Sequence, residues 1–161
     1  MCINLIGDII FIRTNSPISW LIQKLTRSTW SHCGIICSNN FIIEADIFKP
    51  VKGRKMEYSD FKVVPLNIAD SERLQLISYL LEQTNEKYNY KRICGLLFYL
   101  LNFTRNRDLW SEYNKVICCQ LITRGLSILD DVNIPQGVVD AITPAELASI
   151  LLKEDVINKS R

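Results

Sequence analysis

The chain has a single histidine, His32, in the stretch Trp30-Ser31-His32-Cys33-Gly34-Ile35-Ile36-Cys37. Two adjacent cysteines, Cys118 and Cys119, lie far downstream and are followed by Gln120 and Leu121. Cysteine catalysis needs a thiolate, a base to generate it and a group that fixes the base's tautomer. His32 is the only imidazole able to serve as base. The nucleophile belongs at a helix start, where unsatisfied amides favour a thiolate and can hold an oxyanion. Cys118 and Cys119 open a helical pattern, whereas Cys2 has no such context and Cys94 sits inside an apolar run. Glu44 and Asp46, on the strand after His32, are the candidates for the orienting group.

These groups must be brought together by a small sheet and its helices. Ile9-Ile10-Phe11-Ile12 reads as a buried strand, and residues 31–37 and 41–48 as a strand pair joined through Ser38-Asn39-Asn40. A strict two-residue turn at Asn39-Asn40 would put His32 and Glu44 on opposite faces. A bulge or a longer connection would put His32, Glu44 and Asp46 on one face, and cysteine chemistry requires that arrangement. Phe61–Leu66 forms another short strand, with Pro65 favouring an edge.

Helices are expected from Pro17, with Ile18, Leu21, Ile22 and Leu25 inward and Trp20 widening that stripe. A second is capped by Asp70 and runs over 71–83, with Leu74, Ile77, Leu80 and Leu81 inward. Residues 91–103 form a third, and Cys118 or Cys119 starts a fourth that extends through Leu129. Thr143-Pro144-Ala145-Glu146 has the form of a capping box for a fifth. Asn102 to Lys115 reads as a polar loop containing Trp110 and Tyr113. The sum is one α+β domain over 1–161, a small, mainly antiparallel sheet packed with helices.

Several of these segments, in this order, resemble the circularly permuted papain-like proteins of the NlpC/P60 superfamily, in its YiiX/YebB-like branch. They are Gly7-Asp8-Ile9-Ile10-Phe11, Trp30 to Ile35, Ile43-Glu44-Ala45 and Ile117 to Ile122, together with the Tyr88 and Tyr90 pair and the Thr143-Pro144 helix start. The resemblance covers about residues 7–150. It implies the order histidine, acidic residue, cysteine, with Cys118 as nucleophile, His32 as general base and Glu44 as orienting group. Cys119 stands where that pattern has a small residue, and it and Asp46 are secondary candidates. The implied activity is hydrolysis of a peptide, isopeptide or acyl-ester bond through an acyl-thioester. The alternatives are thiol-dependent acyl transfer on lipid and a non-catalytic papain-like interaction module.

Composition bounds the other classes. A net charge of +2 and no basic cluster interleaved with aromatics argue against nucleic acid. Lys49 to Lys55 reads as a solvated turn, and Asp8 as a turn residue. The absence of a C-x2-C pair, with His32 and Cys33 pointing to opposite sides of a strand, argues against a metal. No cofactor is expected. The six cysteines have apolar neighbours, and Cys33, Cys37 and Cys94 read as plain buried residues. No cationic leader opens the sequence, so a reducing, cytoplasmic setting is expected. Ile93–Leu101 is about half a bilayer span, which suits a buried helix or peripheral membrane contact. The expected partner is a peptide, amide or acyl-lipid substrate.

Overall fold

A computed structural model of the chain describes residues 6–46, 49–106, 110, 115–129, 132 and 142–158, with side chains to 152. Cys2, Tyr113 and the end of the 41–48 strand fall outside these residues.

The uninterrupted apolar run Ile9–Ile12 forms β1, and every residue in it is fully buried. Strand side chains alternate between faces, so such a run needs cover on both sides. Ile9 and Phe11 enter the main core with Cys33, Ile35, Ile43 and Ala45. Ile10 and Ile12 join Ile36 and Ile42 in a smaller cluster on the other face, closed by Met56, Tyr58 and Val63. The sheet is antiparallel throughout, in the order β4-β3-β2-β1-β5. Its other strands are β2 (His32–Ser38), β3 (Phe41–Asp46), β4 (Lys49–Lys55) and β5 (Phe61–Val64). The molecule is therefore α+β, and Pro65 follows an edge strand as its missing amide requires.

The register between β2 and β3 decides the site. Ser38 pairs with Phe41 across the two-residue turn, but Ile36 pairs with Ile42 and Ile35 with Ile43. Cys37 is the extra residue, a bulge in β2. This one-residue shift puts Glu44 opposite Gly34, on the face that carries His32.

Five helices surround the sheet among the described residues: α1 (Pro17–Thr26), α2 (Asp70–Glu82), α3 (Tyr90–Leu100), α4 (Cys118–Leu126) and α5 (Pro144–Asn158). Ser16 caps α1 through its hydroxyl, with Pro17 in the first turn. Thr143 and Glu146 close the expected box at α5, the Glu146 amide donating to Thr143 Oγ1 and the Thr143 amide to Glu146 Oε2. The α4 helix is almost wholly buried and packs on β2, β3 and α2. A short parallel pair, β6 (Lys87–Tyr88) and β7 (Lys115–Val116), leads into α3 and α4 respectively.

Several expectations are corrected. Lys49–Lys55 is an edge strand and not a turn, because Val51 supplies an inward residue between solvated lysines. The inward face of α2 is Leu76 and Leu80, while Leu74 is 69% and Leu81 50% exposed. Ala69, not Asp70, occupies the N-cap of α2, and Glu72 accepts from its amide. Trp20 turns outward beneath the Lys24 ammonium instead of widening the α1 stripe. The fourth helix ends at Leu126, although Leu129 remains buried. Lys115 is in β7 rather than the loop.

Gly34 is the fulcrum of the register. A Cβ there would lie 3.1 Å from the Ile43 carbonyl oxygen and 3.5 Å from Glu44 Cβ. The Gly34→Val protein should lose about 1–3 kcal/mol of stability through overpacking, read as a lowered urea midpoint with unchanged slope.

Candidate active site

His32 opens β2, Glu44 stands on β3 and Cys118 begins α4, so three elements converge at one end of the sheet. His32 Nε2 lies 2.8 Å from Glu44 Oε2. That contact leaves Nδ1 as the ring nitrogen for the thiol, and the imidazole and Cys118 couple electrostatically, each favouring the other's charged form. His32, Glu44 and Cys118 all border a cavity of about 510 Å³. The structure thus brings the three expected residues together.

Glu44 is 2% exposed. Burying a carboxylate is costly unless it is paired and hydrogen-bonded, and Glu44 has three partners. Besides His32, the Tyr58 hydroxyl donates to Oε2 at 2.9 Å, and Arg54 Nε sits 3.4 Å from Oε1. Tyr58 and Arg54 were invisible to motif reasoning, because their role depends on the fold of β4 and the segment after it. Asp46 also borders the cavity, but it pairs with Lys49 at 3.5 Å. Of the two carboxylates, Glu44 is the one in hydrogen-bond contact with His32.

The sulfur atoms make a second constellation. Cys33 Sγ is 3.3 Å from Cys119 Sγ, and Cys118 Sγ is 3.9 Å from Cys119 Sγ. All three lie within 4.8 Å of one another. Cys33 descends from the core face of β2, opposite in direction to His32, and meets the first turn of α4 from beneath. It is a buried residue as expected, but its sulfur belongs to the site.

Electrostatics separate the three thiols. Hydrogen bonds from Cys119 and then Cys33 hold the Cys118 thiol well below its usual range; burial opposes them, and the His32 hydrogen bond and charge add to them. Burial pushes Cys33 and Cys119 up, so both stay protonated and able to donate. For His32, burial lowers the pKa, but the hydrogen bond and charge of Cys118, followed by those of Glu44, prevail and push it up to about 10. Both shifts run in the direction of a thiolate beside an imidazolium. A helix start favours that thiolate further.

Among the described residues, the other two cysteines stand apart. Cys37 is half-buried in the bulge, its thiol donating to the Phe41 carbonyl at 3.4 Å, and Cys94 is exposed on α3, contrary to the buried reading. Asp8 is more than a turn residue: buried, it pairs with Arg73 at 2.6 Å and accepts from the Leu66 amide.

The cavity has two kinds of wall. Thr14, Ser16, Ser19 and Ser31 supply a hydroxyl cluster at one side. Ile93, Leu96, Leu97 and Leu100 of α3 line another. No known family model matches the chain, and no curated protein matches it.

Cys119→Ala should move the midpoint of iodoacetamide alkylation at Cys118 to higher pH, because a donor to the thiolate is lost. Cys119→Ser should retain part of the acid-shifted midpoint through its hydroxyl. Equal midpoints in wild type and Cys119→Ala would contradict the sulfur-donor account.

Proposed function

We propose that the protein is a cysteine-dependent hydrolase of amide or acyl-ester bonds, with Cys118 as nucleophile, His32 as acid–base group and Glu44 as its orienting partner. The observation that carries this reading is the Glu44–His32–Cys118 convergence at the edge of a cavity. The resemblance to permuted papain-like NlpC/P60 proteins supports the same roles and the same finer fold.

The chemistry follows from the charge state. Because the thiolate precedes substrate, Cys118 attacks the carbonyl carbon without first losing a proton. The oxyanion is held by amides at the start of α4, including that of Cys118, which lack acceptors within the helix. His32, as imidazolium, gives its proton to the departing amine or alcohol. The neutral imidazole then takes a proton from water, which attacks the thioester and releases the acid. An alcohol or amine in place of that water would give acyl transfer.

The apolar α3 wall favours an apolar acyl group over a charged peptide. Ile22 and Ile142 extend that wall, and the cavity falls in the size range of small-molecule sites. Ester substrates of increasing acyl length should show rising kcat/KM until the cavity is filled. Leu97→Asp should erase that dependence while sparing acetyl esters.

The pH profile has a definite sign. Activity should rise as Cys118 becomes a thiolate below the ordinary thiol range, and fall near pH 10 as His32 loses its proton. The two limbs belong to the coupled pair.

Labelling by a thiol-directed acyl probe provides the decisive comparison. Cys118→Ala should abolish it, and His32→Ala should slow it by about 10²–10⁴-fold. Equal labelling of Cys118→Ala and wild-type protein would remove Cys118 as the nucleophile.

A further inference from the structure

The hydrolytic mechanism uses one sulfur as nucleophile, yet three are gathered at the site. Only Cys118 both borders the cavity and retains some exposure, at 5%; Cys33 and Cys119 are fully buried. An oxidant entering the cleft therefore meets Cys118 first. Cys119 borders the cleft too but is fully buried, and Cys33, 86 positions away in sequence, lies 3.3 Å from it.

We propose that Cys118, Cys33 and Cys119 form an oxidation and repair site for hydroperoxides, in which Cys33 resolves oxidised Cys118 and Cys119 then takes over the disulfide. This rests on Cys118 bordering the cavity within 4.8 Å of the other two sulfurs, not on hydrolysis itself.

Geometry sets the order of events. Cys118 and Cys119 are consecutive in a helix, with Cα atoms about 3.8 Å apart across a trans peptide. That is below the separation a disulfide normally spans, so Cys119 does not resolve its neighbour. Cys33 approaches from another element, with its sulfur within 4.8 Å of Cys118. Cys33 and Cys119 lie 3.3 Å apart and on separate elements, which makes that pair the resting place of the cross-link.

The atoms balance as follows. The Cys118 thiolate attacks the terminal oxygen of the hydroperoxide; the O–O bond breaks, an S–O bond forms, and the alkoxide takes the His32 proton and leaves as an alcohol. Cys33 then attacks the Cys118 sulfenic sulfur, forming S–S and breaking S–O, while its proton leaves with the hydroxide as water. Finally Cys119 attacks Cys33 Sγ, which expels the Cys118 thiolate, and the Cys119 proton returns to His32. Two thiols become one disulfide, and the hydroperoxide becomes alcohol and water. The nucleophile is restored and spared the irreversible sulfinic state.

The test treats the reduced full chain with one equivalent of hydrogen peroxide, followed by non-reducing peptide mapping and iodoacetamide labelling. The expected product is a Cys33–Cys119 disulfide with Cys118 still alkylated. Cys119→Ser should stop at a Cys33–Cys118 disulfide with Cys118 blocked. Cys33→Ser, if its circular dichroism matches wild type, should carry Cys118 on to sulfinic acid. Wild-type protein that accumulates Cys118 sulfinic acid with no cross-link, or that leaves Cys33 and Cys119 unmodified, would overturn the proposal. The readout is mass with no acyl substrate present. An inactive hydrolase can therefore still form the disulfide, and an active one can fail to.

Discussion

The Glu44 carboxylate is the interaction on which the site depends. It is buried between the sheet and the segment that carries Tyr58, and its position there requires partners for both oxygens. One partner is the imidazole that it orients. Removing Glu44 would therefore affect more than one contact, because Tyr58 and Arg54 also converge on it. What puts Glu44 on the correct face is a single unpaired residue, Cys37, in the neighbouring strand. A local irregularity of backbone thus determines whether a remote carboxylate and histidine can meet.

The second organising feature is the contrast between the two faces of β2. His32 leaves one face toward Glu44, and Cys33 leaves the other toward α4. The helix start lies where both can reach it, so the Cys118 sulfur is stabilised by a cation from one side and by neutral thiols from the other. Burial alone would disfavour the thiolate. Burial keeps Cys33 and Cys119 protonated, and at Cys118 their hydrogen bonds prevail over its opposing effect. Three residues of one type thereby acquire different chemical roles.

Much of this was legible from residue type and spacing. Continuous isoleucine marked the central strands, Ser16-Pro17 and Thr143-Pro144 marked helix starts, and the lone histidine restricted where imidazole chemistry could occur. The requirement for a bulge or a longer connection followed from strand alternation alone, although the bulge at Cys37 did not. What escaped was whatever depends on distant pairing. Lys49–Lys55 becomes a strand only because β3 offers it an edge, and Tyr58 matters only because the chain folds back over Glu44. Leu74 looked like part of the inward stripe of α2, but packing against α4 selects Leu76 and Leu80. Cys33 was read correctly as buried, and its contact with Cys119 depends on α4 crossing beneath β2.

The most direct measurement is rapid acid quench of the protein with an apolar acyl ester, followed by intact-mass analysis and peptide mapping. An acyl group carried on Cys118 during turnover and released by neutral hydroxylamine is the expected result. Turnover that persists in Cys118→Ala, or that proceeds in wild-type protein with the acyl group on another residue, would contradict the account.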